Sequence, residues 1–108
     1  MLIGLYGGTF DPVHRGHVHA AECVRKFLGL DVIRMVLNAQ PVHKSSEQAM
    51  TAHRWSMLKA VCANRQGLIA DDVEVRRGGR SFTVDTLSLL QSEFPQAVLC
   101  WIVGEDSF

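Results

Sequence analysis

The chain is poor in cysteine and proline and has no long apolar run. Cys23, Cys62 and Cys100 are odd in number and far apart, which argues against a disulfide framework and against the close pairs of zinc or redox motifs. Each stands among apolar neighbours, so buried, reduced thiols are expected. No apolar stretch approaches the ~20 residues that cross a bilayer. The first ten residues lack a basic segment ahead of a long apolar one, so no export signal and no membrane partner are expected, and the cytoplasm is the expected compartment. Net charge is missing too, with eleven Lys/Arg against eleven Asp/Glu. The balance hides a division: residues 1–66 carry eight basic and four acidic side chains, residues 67–108 three and seven. Such a split allows a local cationic site. The basic residues are scattered and not interleaved with aromatics, so no nucleic-acid partner is expected.

What is present is apolar patterning. A chain of 108 residues, 47% hydrophobic, suits a single domain spanning residues 1–108. Leu2 to Tyr6 reads as a buried strand that stops at a Gly7-Gly8 turn. Residues 16–28 carry apolar side chains at 18, 21, 24, 27 and 28, a helical spacing closed by Gly29. Residues 31–37 read as a second strand, and 38–50 as a long polar loop containing Pro41. Residues 51–63 place Trp55, Leu58, Val61 and Cys62 on one helical face. Residues 68–70 and 73–75 predict a third, bent strand, followed by a turn at 77–79. Thr83 predicts an N-cap for a helix burying Val84, Leu87, Leu90 and Phe94, and Pro95 closes it. Residues 97–103 are nearly all apolar, as in a strand covered on both faces. Strands alternating with helices imply an α/β fold, a doubly wound parallel sheet with ligands bound beyond the strands' carboxyl ends.

Residues 7–17, GGTFDPVHRGH, follow the first strand. Gly7 and Gly8 permit positive φ and close approach of a bound group. The helix beyond offers unpaired N–H donors and a partial positive charge, a seat for phosphate. His14 and His17, three residues apart, project on one side above that seat. Histidines are unfavourable at the positive end of a helix, so two of them there call for a compensating anion. Neither a dinucleotide fingerprint nor a metalloprotease pair is present.

GGTFDPVHRGH resembles the signature of the HxGH nucleotidyltransferases, in the form found in bacterial nicotinate-nucleotide adenylyltransferases. Pro41-Val42-His43-Lys44, Arg54 with Met57, Arg80 through Leu87 (RSFTVDTL) and the terminal VGEDSF resemble that family in the same order. Family members are longer, with a C-terminal phosphate-holding motif, so the resemblance is to their N-terminal portion. It implies a Rossmann-like doubly wound sheet and transfer of the AMP part of ATP to nicotinate mononucleotide, giving nicotinate adenine dinucleotide and pyrophosphate. It implies ATP with Mg²⁺ held mainly by phosphates and water, and leaves a homo-oligomer open.

By the same resemblance, the main chain around Gly7, Gly8, Thr9 and Phe10 meets the nucleotides. His14 and His17 contact the ATP phosphates, His17 nearest the reacting one. Lys44 supplies a point charge. Arg54 either contacts the phosphate region or caps and pairs within its helix. Phe82 and Thr83 are candidates for the nicotinate carboxylate through main-chain N–H groups and the Thr hydroxyl. Asp106 binds a ribose hydroxyl or a magnesium-bound water. Two other readings stand beside this one: an ATP-binding fragment without turnover, and a transferase acting on another phosphate ester such as phosphopantetheine.

Overall fold

The computed structural model describes residues 1–38, 45–77 and 83–102. Its elements run β1 (Leu2–Gly8), α1 (Arg15–Leu28), β2 (Val32–Leu37), α2 (Ser45–Ala63), β3 (Leu68–Asp71), α3 (Val73–Arg77), α4 (Thr83–Glu93) and β4 (Val98–Ile102). The strands form one parallel sheet in the order β3-β2-β1-β4. The chain steps outward from β1 to β3, then returns to add β4 on the far side of β1. That reversal puts a topological switch point between β1 and β4, the place beyond whose carboxyl ends open α/β sheets generally bind ligands.

Period-two alternation decides what each face of the sheet covers. Ile33, Met35 and Leu37 point to the side where α1 contributes Val18 and Ala21, and α2 contributes Leu58 and Cys62. Ile3, Leu5 and Val36 point to the other side, where Val73 of α3 and Leu90 of α4 meet them. Ile3, Leu5, Ile33, Met35, Leu37, Leu58 and Leu90 are all less than 2% exposed. Each such side chain contributes roughly 1.5–3 kcal/mol by leaving water. α1 ends where the spacing predicts, because Gly29 takes the left-handed conformation (φ 67°) and Leu30 N–H donates to the Arg25 carbonyl at 2.9 Å.

The structure corrects several expectations. Gly7 and Gly8 are not a turn: they continue β1, paired with Val36 and Leu37. α2 begins at Ser45, inside the expected loop, because residues 45–50 (SSEQAM) contain no helix breaker although they lack an apolar stripe. Residues 73–75 are helix, not strand. Asp71 Oδ1 accepts from Val73 N–H at 2.9 Å and caps the short α3, overriding the β preference of Val73 and Val75. Phe27 and Val84 are 89% and 66% exposed, so the buried stripes of α1 and α4 are narrower than predicted. Cys62 is buried, Cys100 half-buried and Cys23 exposed. β4 is an edge strand of the described sheet, and Val98 is 58% exposed, so the strand is not covered on both faces. Among the described residues no helix is long and apolar enough to cross a membrane.

Candidate functional site

The carboxyl end of β1 is built by close contact. Gly8 is extended, and a Cβ there would stand 3.0 Å from the Phe10 ring, so a larger residue would have to displace that ring. The positive φ expected of the glycines falls instead on Phe10, at 47°. A left-handed backbone costs a side-chain-bearing residue ~1–2 kcal/mol. Packing offsets that cost: the Phe10 ring is 3% exposed and meets Tyr6 and His17 edge-on at centroid distances of 5.7 and 5.1 Å. From α2, the buried Arg54 guanidinium reaches across, donating to the Thr9 carbonyl at 2.7 Å and to Thr51 Oγ1 at 3.1 Å.

The loop then enters α1 through a reciprocal cap made of the two histidines. Gly16 N–H donates to His14 Nδ1 at 3.0 Å, and His14 N–H donates to His17 Nδ1 at 3.1 Å. His17 and Val18 N–H donate to the His14 carbonyl at 3.1 and 3.3 Å. The donors of Gly16, His17 and Val18 are therefore engaged within the helix, which corrects the expected unpaired main-chain seat. The histidines also have a structural part there besides any anion, since each accepts a main-chain N–H of the cap through Nδ1. Gly16 is part of the device, because a Cβ on it would lie 2.8 Å from His14 Cε1.

Capping fixes the tautomers. A ring that accepts at Nδ1 carries its proton at Nε2 when neutral. The two rings stack, with centroids 3.8 Å apart and planes 27° from parallel, presenting two Nε2–H donors side by side. Desolvation, and secondly the proximity of His14, hold the His17 pKa below its ordinary 6.5. Protonating His17 at Nδ1 would also remove the acceptor for His14 N–H. Because the folded value is depressed, the unfolded chain binds more protons just below pH 6.5, so stability is full above that pH and declines as pH falls. Urea unfolding followed from pH 7.5 to pH 5 should show this loss, and a His17→Gln chain should lack that contribution.

The structure thus brings Gly7, Gly8, Thr9, Phe10, His14, His17 and Arg54 together at the end of β1. Thr83 opens α4 on the opposite side of the sheet. Lys44, Phe82 and Asp106 lie outside the described residues. Sequence reading missed a buried pair: Glu74 on α3 accepts from Thr86 on α4 at 2.8 Å. The only signal was the RSFTVDTL stretch, and reading 73–75 as strand hid the partner.

Strand order defines the class: a doubly wound, Rossmann-like α/β domain whose order reverses between β1 and β4. Within that class, the chain belongs to the cytidylyltransferase-like family, whose sequence model matches residues 5–108. A Shewanella protein named as a probable nicotinate-nucleotide adenylyltransferase is 44% identical over 108 residues, covering 100% of this chain and 50% of that protein. A Coxiella burnetii protein of the same name is 41% identical over 108 residues, covering 99% of this chain and 50% of its own length. This chain spans about half the length of these curated relatives. The fold is that of the Plasmodium falciparum nicotinic acid mononucleotide adenylyltransferase complexed with NaAD. That likeness has a TM-score of 0.76 at 22% identity and covers 97% of this chain and 52% of that one. The resemblance read from the sequence is borne out.

Proposed function

We propose that the chain carries the nucleotide-phosphate site of a nicotinate-nucleotide adenylyltransferase. The observation that supports this most is the pair of stacked imidazoles, each with Nδ1 committed to the main chain and Nε2–H left to donate, at the carboxyl end of β1. In the proposed reaction a phosphate oxygen of nicotinate mononucleotide attacks the α-phosphorus of ATP in line. The bond to the bridging oxygen breaks, and pyrophosphate leaves with that oxygen and its electron pair. Such a transfer needs positioning and charge stabilisation rather than a protein nucleophile.

Each residue then has a task. His14 and His17 donate to phosphate oxygens, and the main chain from Gly7 to Phe10 lies along the nucleotide. Lys44 adds a positive charge to the phosphates. Thr83, with Phe82, receives the nicotinate carboxylate at the start of α4, and Asp106 binds a ribose hydroxyl or a metal-bound water. Arg54 holds the loop that carries His14. Magnesium would ride on the phosphates and withdraw their charge. An ion bound in that way takes its oxygens from phosphate and water.

The test joins binding to turnover. Calorimetry with Mg-ATP should show binding, and nicotinate mononucleotide with ATP should yield nicotinate adenine dinucleotide and pyrophosphate. Binding without pyrophosphate release supports a nucleotide-binding unit without turnover. Turnover with phosphopantetheine instead would reassign the substrate. No ATP binding by the folded chain overturns the proposal.

A further inference from the structure

The polar contacts between α3 and α4 lie on the far side of the sheet from the histidines. Glu74 is 6% exposed and Thr86 is fully buried, and they meet through a 2.8 Å hydrogen bond beside the apolar cluster of Val73 and Leu90. Arg77 Nη2 approaches the same Thr86 oxygen at 3.5 Å. α3 is in turn fixed to the sheet. Asp71, 3% exposed, caps it through Val73 N–H and receives Arg34 Nε of β2 at 2.7 Å. The Arg34 guanidinium also lies over the Phe94 ring, 5.1 Å from its centroid, just beyond the end of α4. A continuous path of polar contacts therefore runs from β2 to both ends of α4.

Burying a carboxylate against a hydroxyl is a poor way to gain stability, since apolar residues of the same shape do as well or better. What such a bond supplies is direction: a unique rotation and axial setting for the element that carries it. Thr86 is three residues after Thr83, one turn along the same helical face. Its bond to Glu74 consequently sets the orientation of the first turn of α4, where the main-chain N–H groups lie.

We infer that Glu74 and Thr86 are positioning residues that set the first turn of α4 to receive the carboxylate of nicotinate mononucleotide. They thereby determine preference for that substrate over its uncharged amide analogue. The inference rests on the function proposed above. Neither side chain touches the substrate, and the effect passes through the helix.

The experiment compares the unsubstituted chain with Thr86→Val, which keeps the shape and removes the hydroxyl, and with Thr86→Ser, which keeps the hydroxyl. Calorimetry measures nicotinate mononucleotide, nicotinamide mononucleotide and Mg-ATP on each, and urea unfolding reports the fold. Losing the bond to Glu74, and with it the longer Arg77 contact, should weaken nicotinate mononucleotide about tenfold in Thr86→Val, with the amide analogue and ATP changed less than about twofold. Thr86→Ser should restore the preference. Equal weakening of all three ligands, or a Thr86→Ser chain no better than Thr86→Val, means a merely structural bond and overturns the inference. If Thr86→Val unfolds, Glu74→Gln, which retains an acceptor oxygen, must bind nicotinate mononucleotide more tightly than Glu74→Ala, and equality overturns it. Failure of the unsubstituted chain to discriminate the two mononucleotides while binding ATP overturns this inference alone. Failure to bind any nucleotide overturns the proposed function as well.

Discussion

Replacing His17 with alanine is expected to weaken ATP binding at least tenfold, and to cut any adenylyl transfer by about 10²–10³, the range seen when one donor to a developing charge is removed. The same change removes the acceptor for His14 N–H, so part of the loss could arise from a frayed α1. Two other substitutions separate the causes. Glutamine at the third helical position accepts from the N-cap N–H as a carboxamide, so His17→Gln should recover about 1 kcal/mol of the helix-cap stability lost in the alanine variant. With its oxygen turned to the cap it has no ring to stack on His14 and does not set its amide N–H where the imidazole Nε2–H stood, so it should not recover ATP affinity. His14→Ser likewise keeps an N-cap acceptor for the first turn and loses the other donor. Urea midpoints near the unsubstituted value with ATP affinity still reduced would establish the phosphate role. ATP affinity that follows helix stability across all the variants would reduce the pair to a cap.

How much of this could be read beforehand differs by level. The sheet was legible because strands buried on both faces are short apolar runs, and Leu2–Tyr6 and Val32–Leu37 are such runs. α1 was legible because its stop, Gly29, is a local backbone requirement. α3 was not, since its five residues are too few to show a period and the deciding force was a cap from Asp71. The location of the candidate site followed from GGTFDPVHRGH, but its internal geometry did not. The reading assigned positive φ to glycines, whereas Gly8 is there to admit the Phe10 ring and Phe10 itself takes the left-handed backbone. It treated the histidines as unfavourable at a positive helix end, whereas their Nδ1 atoms accept main-chain N–H groups of that end. In each case the residue type was recognised and its partner, set by tertiary contact, was not. The Glu74–Thr86 bond shows this most plainly, as twelve residues of sequence separate the two.

The second large effect is expected at Arg54. The sequence leaves two roles open for it, a phosphate contact or a cap and pairing within its helix, and the geometry adds a third, a tie to the loop after β1. Its Nη1 donates to the Thr9 carbonyl from an element 45 residues away, and the side chain is 3% exposed. Hydrogen bonds from charged donors contribute about 1.5–3 kcal/mol, and the buried stem adds packing. Arg54→Leu, which fills much of the space but offers no donor, should therefore destabilise the chain by about 2–4 kcal/mol. The damage should be local first. Freed from Arg54, Thr9 no longer anchors the left-handed turn at Phe10, and amide hydrogen exchange should quicken from Thr9 to His17 before it does in β2 or α4. Arg54→Lys should recover only part of the stability, because one ammonium lacks the planar fork that serves Thr9 and Thr51 together. ATP affinity should fall in step with that local loosening, since the loop carries His14. A direct phosphate ligand would behave differently, with Arg54→Leu losing ATP while keeping its unfolding midpoint and its exchange pattern. Measuring both on the same protein therefore decides whether this buried cation faces the nucleotide or holds in place the histidines that do.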